Sequence, residues 1–248
     1  FDQFEPGNPI YNETGLFRFE GPLQGEVLER VLNEVVRRHE VLRTSFPVVG
    51  GEPVQEVRPQ MAVRLGLVDL SGMGETERAQ AVERVAEEGR RPFDLSRGPL
   101  LRTTLLRLQE REHVLVLTMH HMVWDGWSVG VLSGELAALY DAYARGEASP
   151  LPEPVIQYAD YALWQREWQG GDGLQEQVQY WRRQLQGPLP VLDLPTDRPR
   201  PATYVFRGTQ KGFSLPEGLY ESLKELSQRS GVTLFMTLLA GFKVLLHR

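Results

Sequence analysis

The fold of this chain is organised around the stretch Met119-His120-His121-Met122-Val123-Trp124-Asp125-Gly126-Trp127-Ser128. An apolar segment before it, residues 114–119, predicts a buried strand. A helical pattern of apolar residues follows over residues 129–145. Two histidines and an Asp-Gly pair therefore stand where a strand passes into a helix. Such a junction exposes side chains on rigid flanks, which suits reacting groups.

The chemistry of this stretch is that of imidazole and carboxylate. Histidine accepts or relays a proton near neutral pH. Because side chains alternate along a strand, His120 and His121 should face opposite sides, which disfavours a zinc site built on the pair. Asp125 has three interpretations: a helix cap, a group that orients an imidazole, or the partner of a distant arginine. We expect Gly126 to allow a backbone turn that a Cβ would obstruct. A purely structural histidine pair is the alternative for the dipeptide alone.

Composition narrows the class of protein. With 41% hydrophobic and 24% charged residues, the chain has ample material for a globular core. Its net charge of -6, without a long basic run, argues against a nucleic-acid partner. No apolar run approaches the ~18 residues of a membrane span. Cysteine is absent, which excludes disulfides and thiolate chemistry. No phosphate-binding loop, dinucleotide fingerprint or convincing metal set is visible, so we expect neither a metal nor a bound cofactor.

Both strand and helix patterns occur along the chain. The strands are predicted at residues 15–20, 41–46, 53–58, 63–70, 101–108, 114–119 and 206–215, with a tight turn at Gly50-Gly51. The helices are predicted at residues 27–36, 75–90, 129–145, 156–169, 174–186 and 234–246, with one more after Pro216. The Pro- and Arg-rich residues 187–207 form the clearest candidate linker.

Several runs together resemble the condensation domain of nonribosomal peptide synthetases. His-His-x-x-x-Asp-Gly at residues 120–126 is similar to the active-site signature of that family. Four further runs are typical of it and occur in its order: Arg38-His39-Glu40-x-Leu42-Arg43-Thr44-x-Phe46, Phe93-Asp94-Leu95-Ser96-Arg97-Gly98-Pro99-Leu100, Tyr158-x-Asp160-Tyr161-Ala162-x-Trp164, and Leu194-Pro195-Thr196-Asp197-Arg198-Pro199-Arg200-Pro201.

The resemblance implies an α/β (α+β) fold like that of chloramphenicol acetyltransferase, with a mixed β-sheet flanked by helices in each of two lobes. Residues 1–172 would form the N-terminal lobe. Residues 173–248 would form the crossover and the first part of a C-terminal lobe. We expect this second lobe to be incomplete because the motifs of the family's second half are missing; the family's opening motif is missing as well.

The resemblance also implies a reaction and roles for residues. An upstream acyl or peptidyl thioester would be joined to the α-amine of a downstream aminoacyl thioester, both on phosphopantetheine arms of carrier proteins. His121 would handle the amine proton, His120 would be structural, and Gly126 would let the acyl arm pass. Asp125 would hold the loop by pairing with Arg43, with Arg38 as further support. Of the flanking residues, Trp127 and Ser128 are predicted to bind substrate.

The expected partners are an upstream and a downstream peptidyl carrier protein and an adjoining adenylation domain. We expect the protein to work in the cytoplasm and to bind neither nucleic acid nor a membrane. Two alternatives stay open from the sequence. One is a free-standing acyltransferase of the same fold that uses coenzyme A. The other is a catalytically incomplete docking or structural fragment.

Overall fold

The computed structural model describes residues 5–191, 194–199 and 212–247. The chain divides into two compact units, Phe1–Tyr180 and Trp181–Arg248. The predicted boundary after residue 172 stays a prediction. Most of the strand predicted at residues 206–215, and much of the predicted linker, lie outside the described residues.

The first unit contains both strands and helices, as predicted. Its strands are β1 (Asn12–Glu20), β2 (Thr44–Ser45), β3 (Val48–Val49), β4 (Glu52–Pro53), β5 (Glu56–Val57), β6 (Leu65–Asp69), β7 (Leu101–Gln109) and β8 (Glu112–His120). Its helices are α1 (Gly25–Arg38), α2 (Glu75–Glu88), α3 (Gly126–Ala144) and α4 (Tyr158–Gln169), with short 3₁₀ helices at Pro9–Tyr11 and Glu40–Arg43. Helix α5 (Asp172–Gln184) crosses the division between the units.

The main sheet has the strand order β1-β8-β7-β6. Strand β8 pairs antiparallel with both β1 and β7, whereas β6 pairs parallel with β7. The predicted mixed sheet is therefore confirmed. The ladder between β1 and β8 runs from Glu20 opposite Glu112 to Asn12 opposite His120, so the sheet extends to the first histidine of the signature.

Both faces of β8 are covered, which explains its nearly continuous apolar sequence. On one face, Leu115 and Leu117 belong to a core cluster that includes the apolar stripes of α1 and α3. On the other face, Val114 and Val116 join Ala81 of α2 in a second cluster. Because successive strand residues point to opposite faces, this one strand contributes to both layers. The strand that carries the histidines is thus fixed from two sides.

Residues 41–46 and 53–58 depart from the sequence prediction of two paired strands. The chain forms the 3₁₀ helix Glu40–Arg43 first, and only Thr44–Ser45 is extended, paired with β5. The turn at Gly50-Gly51 is confirmed, with positive φ at both glycines, but it joins β3 to β4. Pro47 lies between the two short ladders and lacks the N–H that one continuous ladder would need there.

The second unit contains α6 (Glu217–Arg229) and α7 (Leu234–His247), which pack against each other. The hydroxyl groups of Ser227 and Thr237 lie 2.7 Å apart between the two helices. Within the described ranges, no single helix is long and apolar enough to cross a membrane. Only when taken together do helices α6 and α7 have the length and apolar composition of a membrane span, and the chain bends by 106° at the break between them.

Candidate active site

His120, the last residue of β8, is buried with 6% of its surface exposed. Its Nδ1 accepts a hydrogen bond from the backbone N–H of Met122 at 3.2 Å. The ring of Phe93 lies edge-on at 6.3 Å, and the ring of Tyr11 lies at 6.1 Å. These contacts fix the imidazole inside the first unit, so it packs as a structural residue would.

His121 lies one residue beyond the strand and faces the other way. Its backbone N–H donates to the carbonyl oxygen of Tyr11 at 2.7 Å, and its side chain is 42% exposed. The imidazole is nearly parallel to the ring of Tyr11, with centroids 6.5 Å apart. The expectation that the two histidines face opposite sides is confirmed, and His121 is the one that solvent reaches.

Glu13 of β1 lies beside the exposed imidazole. Its Oε1 is 3.4 Å from Nδ1 of His121, and its Oε2 accepts a 2.7 Å hydrogen bond from the indole N–H of Trp124. Trp124 is itself buried, with 9% exposure. One carboxylate therefore connects the exposed imidazole to a fixed residue of the loop that follows it.

Asp125 is the N-cap of α3 and is exposed. Its carboxylate accepts hydrogen bonds from the backbone N–H of Ser128 at 2.9 Å and from the Ser128 hydroxyl at 2.7 Å. The Ser128 hydroxyl in turn accepts from the backbone N–H of Asp125 at 3.2 Å. These bonds from Ser128, with a smaller effect of the nearby His121, hold the pKa of Asp125 below its ordinary value. Of the three interpretations of Asp125, the structure supports the helix cap.

Replacing Asp125 with alanine should lower the melting temperature by about 2–4 °C, the usual effect of a lost helix cap in a chain of this size. The lowered pKa means that the carboxylate supports the fold above its ordinary pKa of 3.8 and loses that effect as the pH falls through its lowered value. The difference from the unmodified domain should therefore shrink on acidification from about pH 7 to about pH 3. Ser128→Ala, which keeps the backbone donor, should cause a smaller fall. Equal melting temperatures for Asp125→Ala and the unmodified domain at neutral pH would contradict the capping role.

The predicted pairing of Asp125 with Arg43 is wrong. Arg43 forms an ion pair with Glu40 at 3.1 Å and donates to the backbone carbonyl of Arg58. Its Nε is buried and has no hydrogen-bond partner among the described residues. Because Asp125 is exposed and bonded to Ser128, it does not need a buried cation for compensation.

Arg38, the other predicted supporting residue, pairs with Glu135 of α3. Arg38 is only 4% exposed, and its Nη2 lies 3.1 Å from Glu135 Oε1. His39, whose backbone N–H caps α1, donates from Nε2 to Glu135 Oε2 at 2.9 Å. Burial alone would raise the pKa of Glu135, but the hydrogen bonds from Arg38 and His39 outweigh it, and the pKa is lowered. The end of α1 is thus joined to the middle of α3, close to the signature loop.

An apolar cavity of about 240 Å³ lies on the α1 side of the signature loop. Both predicted substrate-binding residues, Trp127 and Ser128, line it, and the Trp127 side chain is 86% exposed. The other lining residues are mostly apolar and come from α1, β8, α3 and the loops between them: Val35, His39, Val41, Leu42, Met119, Val123, Trp124, Val131 and Leu132. Neither His120 nor His121 lines this cavity.

Gly126 is the first residue of α3, and the reason given for it from the sequence is wrong. Its φ is not among the positive values, and a Cβ there would meet no atom within 4 Å. The backbone at this position therefore does not require glycine. The alternative, that a small residue leaves room for a substrate arm, stays a prediction.

Two carboxylates of the site were missed from the sequence. Glu13 precedes the alternating part of β1, and only the strand register places it near His121. Glu135 could have been recognised from the sequence. It shares one helical face with Leu132, Leu136 and Leu139, and a single charged residue within an apolar stripe needs a buried partner. No group of three or more metal-ligating side chains occurs within the described part of the chain.

A family model described as the condensation domain matches residues 1–248. The chain belongs to the condensation domain family. Over 248 residues it is 47% identical to one of the proteins that make up linear gramicidin synthase in Brevibacillus parabrevis, covering all of this chain and 5% of that protein. It is also 47% identical over 248 residues to the phosphinothricin tripeptide synthetase PhsC from Streptomyces viridochromogenes, covering all of this chain and 23% of that protein. This condensation-domain chain therefore spans a small part of each of these relatives.

A solved structure supports the fold assignment. The first condensation domain of the CDA synthetase superposes with a TM-score of 0.78 at 24% identity, covering all of this chain and 59% of that one. The mixed sheet flanked by helices is thus that of the chloramphenicol acetyltransferase-like fold, as the resemblance implied.

Proposed function

We propose that this condensation domain catalyses amide bond formation between two carrier-bound thioesters. The observation that carries the proposal is the contrast within the signature: His120 is fixed inside the unit, whereas His121 presents a 42% exposed imidazole at the end of the central strand. In the reaction, the downstream α-amine attacks the upstream thioester carbonyl, a C–N bond forms and the C–S bond breaks. The amine proton passes to the departing sulfur, which leaves as the thiol.

The energetic demand on His121 is modest. An α-amine has a pKa of about 8, so roughly a tenth of it is neutral at pH 7, and a thioester is already activated. A positioned base supplies about 10²–10⁴-fold, and holding two reactants in line can supply more. His121 therefore accepts or orients the amine proton, while most of the rate comes from placing the two thioesters.

The remaining predicted site residues have supporting roles in this proposal. His120, Asp125 and the first turn of α3 hold the loop that follows β8. Arg38 and Arg43 fix the segment after α1, each through its own glutamate. Trp127 forms part of the wall of a substrate-binding surface and Ser128 supports it, because the Ser128 hydroxyl is already bonded to Asp125. Gly126 leaves room for the acyl arm.

The partners follow from the same chemistry. The proposed donor and acceptor are held by upstream and downstream peptidyl carrier proteins through phosphopantetheine, and an adenylation domain of the same synthetase loads the acceptor. The names of the two curated relatives, part of a gramicidin synthase and a tripeptide synthetase, support a peptide-forming assembly. We propose that the domain binds no cofactor of its own and works in the cytoplasm.

The test is a transfer assay on a complete condensation domain of the length of the solved relatives. Two carrier proteins, one loaded with an aminoacyl donor and the other with an aminoacyl acceptor from a panel, are mixed with the domain. We expect mass spectrometry to find the dipeptidyl group on the downstream carrier. An acyl-coenzyme A donor serves as the control for the free-standing alternative and should give no product. Failure with every pair while both carriers stay loaded, or equal transfer from coenzyme A, would contradict the proposal.

A further inference from the structure

We propose that Glu13 is a positioning residue for His121. Its carboxylate, held by Trp124, orients the imidazole with the proton on Nδ1 and leaves the Nε2 lone pair available to the substrate amine. The consequence for catalysis rests on the proposed function, but the orientation itself does not.

The placement of Glu13 comes from the ladder between β1 and β8. Asn12 lies opposite His120, and Glu13 lies opposite Met119. Just beyond the ladder, the carbonyl oxygen of Tyr11 accepts from the backbone N–H of His121. Backbone pairing therefore continues on both sides of the point where the carboxylate meets the imidazole, so the position of Glu13 relative to His121 is set by the sheet.

The two oxygens of the carboxylate have different partners. Oε2 accepts from the indole of Trp124 at 2.7 Å, and Oε1 is 3.4 Å from Nδ1 of His121. Because Trp124 is buried, it fixes the carboxylate before any substrate binds. On the other side of the ring, Nε2 of His121 has no hydrogen-bond partner among the described residues, and the side chain as a whole is 42% exposed.

The contact matters for orientation more than for stability. Glu13 and His121 are both 42% exposed, and such pairs contribute little to folding. A neutral imidazole, however, has one protonated and one free nitrogen, and an ionised carboxylate can only accept. The group beside one nitrogen thus decides which nitrogen carries the proton. In the proposed reaction, Nε2 takes the proton of the attacking amine, the resulting imidazolium faces Glu13, and Nε2 then returns the proton to the departing sulfur.

The test measures the tautomer of His121 directly. A complete domain with ¹⁵N-labelled histidine is studied without substrate at about pH 8.5, above the ordinary pKa of imidazole. The chain has five histidines, and the His121 signals are assigned by their loss in His121→Ala. We expect Nδ1 to give the shift of a protonated nitrogen and Nε2 that of a free one.

Glu13→Gln is the informative variant. The glutamine oxygen can still accept from Trp124, while its NH₂ group can only donate to Nδ1, so the His121 proton should move to Nε2. Glu20→Gln is the matched control, since Glu20 lies at the far end of β1, and it should leave the His121 signals unchanged. In the transfer assay, we expect kcat to fall about tenfold in Glu13→Gln, less than the ~10²–10⁴-fold of a lost acid–base group, with KM nearly unchanged.

Unchanged His121 signals in a folded Glu13→Gln protein would overturn the inference. If that variant does not fold, Glu13→Ala carries the same test, because it removes the carboxylate beside Nδ1 of His121; unchanged signals there would overturn the inference as well. A tautomer shift in a domain that forms no amide would refute the proposed function and support the orienting role of Glu13. If the domain forms the amide but Glu13→Gln leaves the His121 signals unchanged, the inference about Glu13 is wrong and the proposed function stands.

Discussion

Replacing His121 with alanine should lower the rate of amide formation by about 10²–10⁴-fold in the complete domain, the usual contribution of a positioned acid–base group. The fold should be unaffected, because the side chain is 42% exposed and its contacts are with the equally exposed Glu13 and the ring of Tyr11. The measurement is single-turnover transfer between two loaded carriers, with thermal unfolding followed in parallel.

His120→Ala is the matched control, since the two residues are adjacent and chemically identical. The buried His120 lies between Tyr11 and Phe93, so its loss should lower the free energy of unfolding by about 1–3 kcal/mol, as for other buried side chains. Function should then fall along with stability. Unchanged turnover in a folded His121→Ala domain would remove this residue from the mechanism.

Replacing Glu135 with alanine should lower the free energy of unfolding by about 2–3 kcal/mol, somewhat less than the 3–5 typical of a fully buried broken pair. The reason is that Arg38, only 4% exposed, would lose its carboxylate partner, and His39 would lose the same acceptor. Urea unfolding of the complete domain measures the change. The matched control is Asp141→Ala in the same helix, where the ion pair with Arg145 is exposed and should contribute far less to stability than the Glu135 pair. Equal effects of the two variants would contradict the structural role of Glu135.

The contribution of Glu135 should also depend on pH. Its pKa is lowered in the folded state, so the carboxylate stabilises the fold above its unfolded pKa and loses this effect as the pH falls through the lowered folded value. The difference in stability between the unmodified domain and Glu135→Ala should therefore be full near neutral pH and decrease in acid. A difference that stays constant down to about pH 3 would assign the effect to packing, not to charge.

Much of the fold was predictable because the core elements have strong periodic patterns. The apolar run of β8 and the stripes of α1 and α3 are long enough to specify an element from local sequence. The region after α1 was predicted wrongly because Val41 and Leu42 suit a strand, whereas backbone bonding there closes a 3₁₀ turn from His39 to Leu42 instead. Short elements of two residues carry too little pattern to be read from sequence.

The site was predictable in its chemistry and less so in its pairings. The opposite orientations of His120 and His121 follow from strand alternation, which extends one residue past β8 because the His121 N–H bonds to the Tyr11 carbonyl. The partner of Asp125 could not be predicted from the sequence. A carboxylate before a helix can bond locally to Ser128 or pair with a distant arginine, and only the exposure of Asp125 in the structure decides between these two arrangements. The contact of Glu13 with His121 depends on the register of β1 against β8, which joins residues far apart in sequence.

The bond between Trp124 and Glu13 has a consequence for recombining these domains. The signature stretch includes its own helix cap, Asp125 with Ser128, but its tryptophan depends on a carboxylate 111 positions upstream. A chimera that takes residues 119–128 from a relative should therefore take residues 11–13 from the same parent. Crossover points placed between these two segments would separate side chains that fit each other.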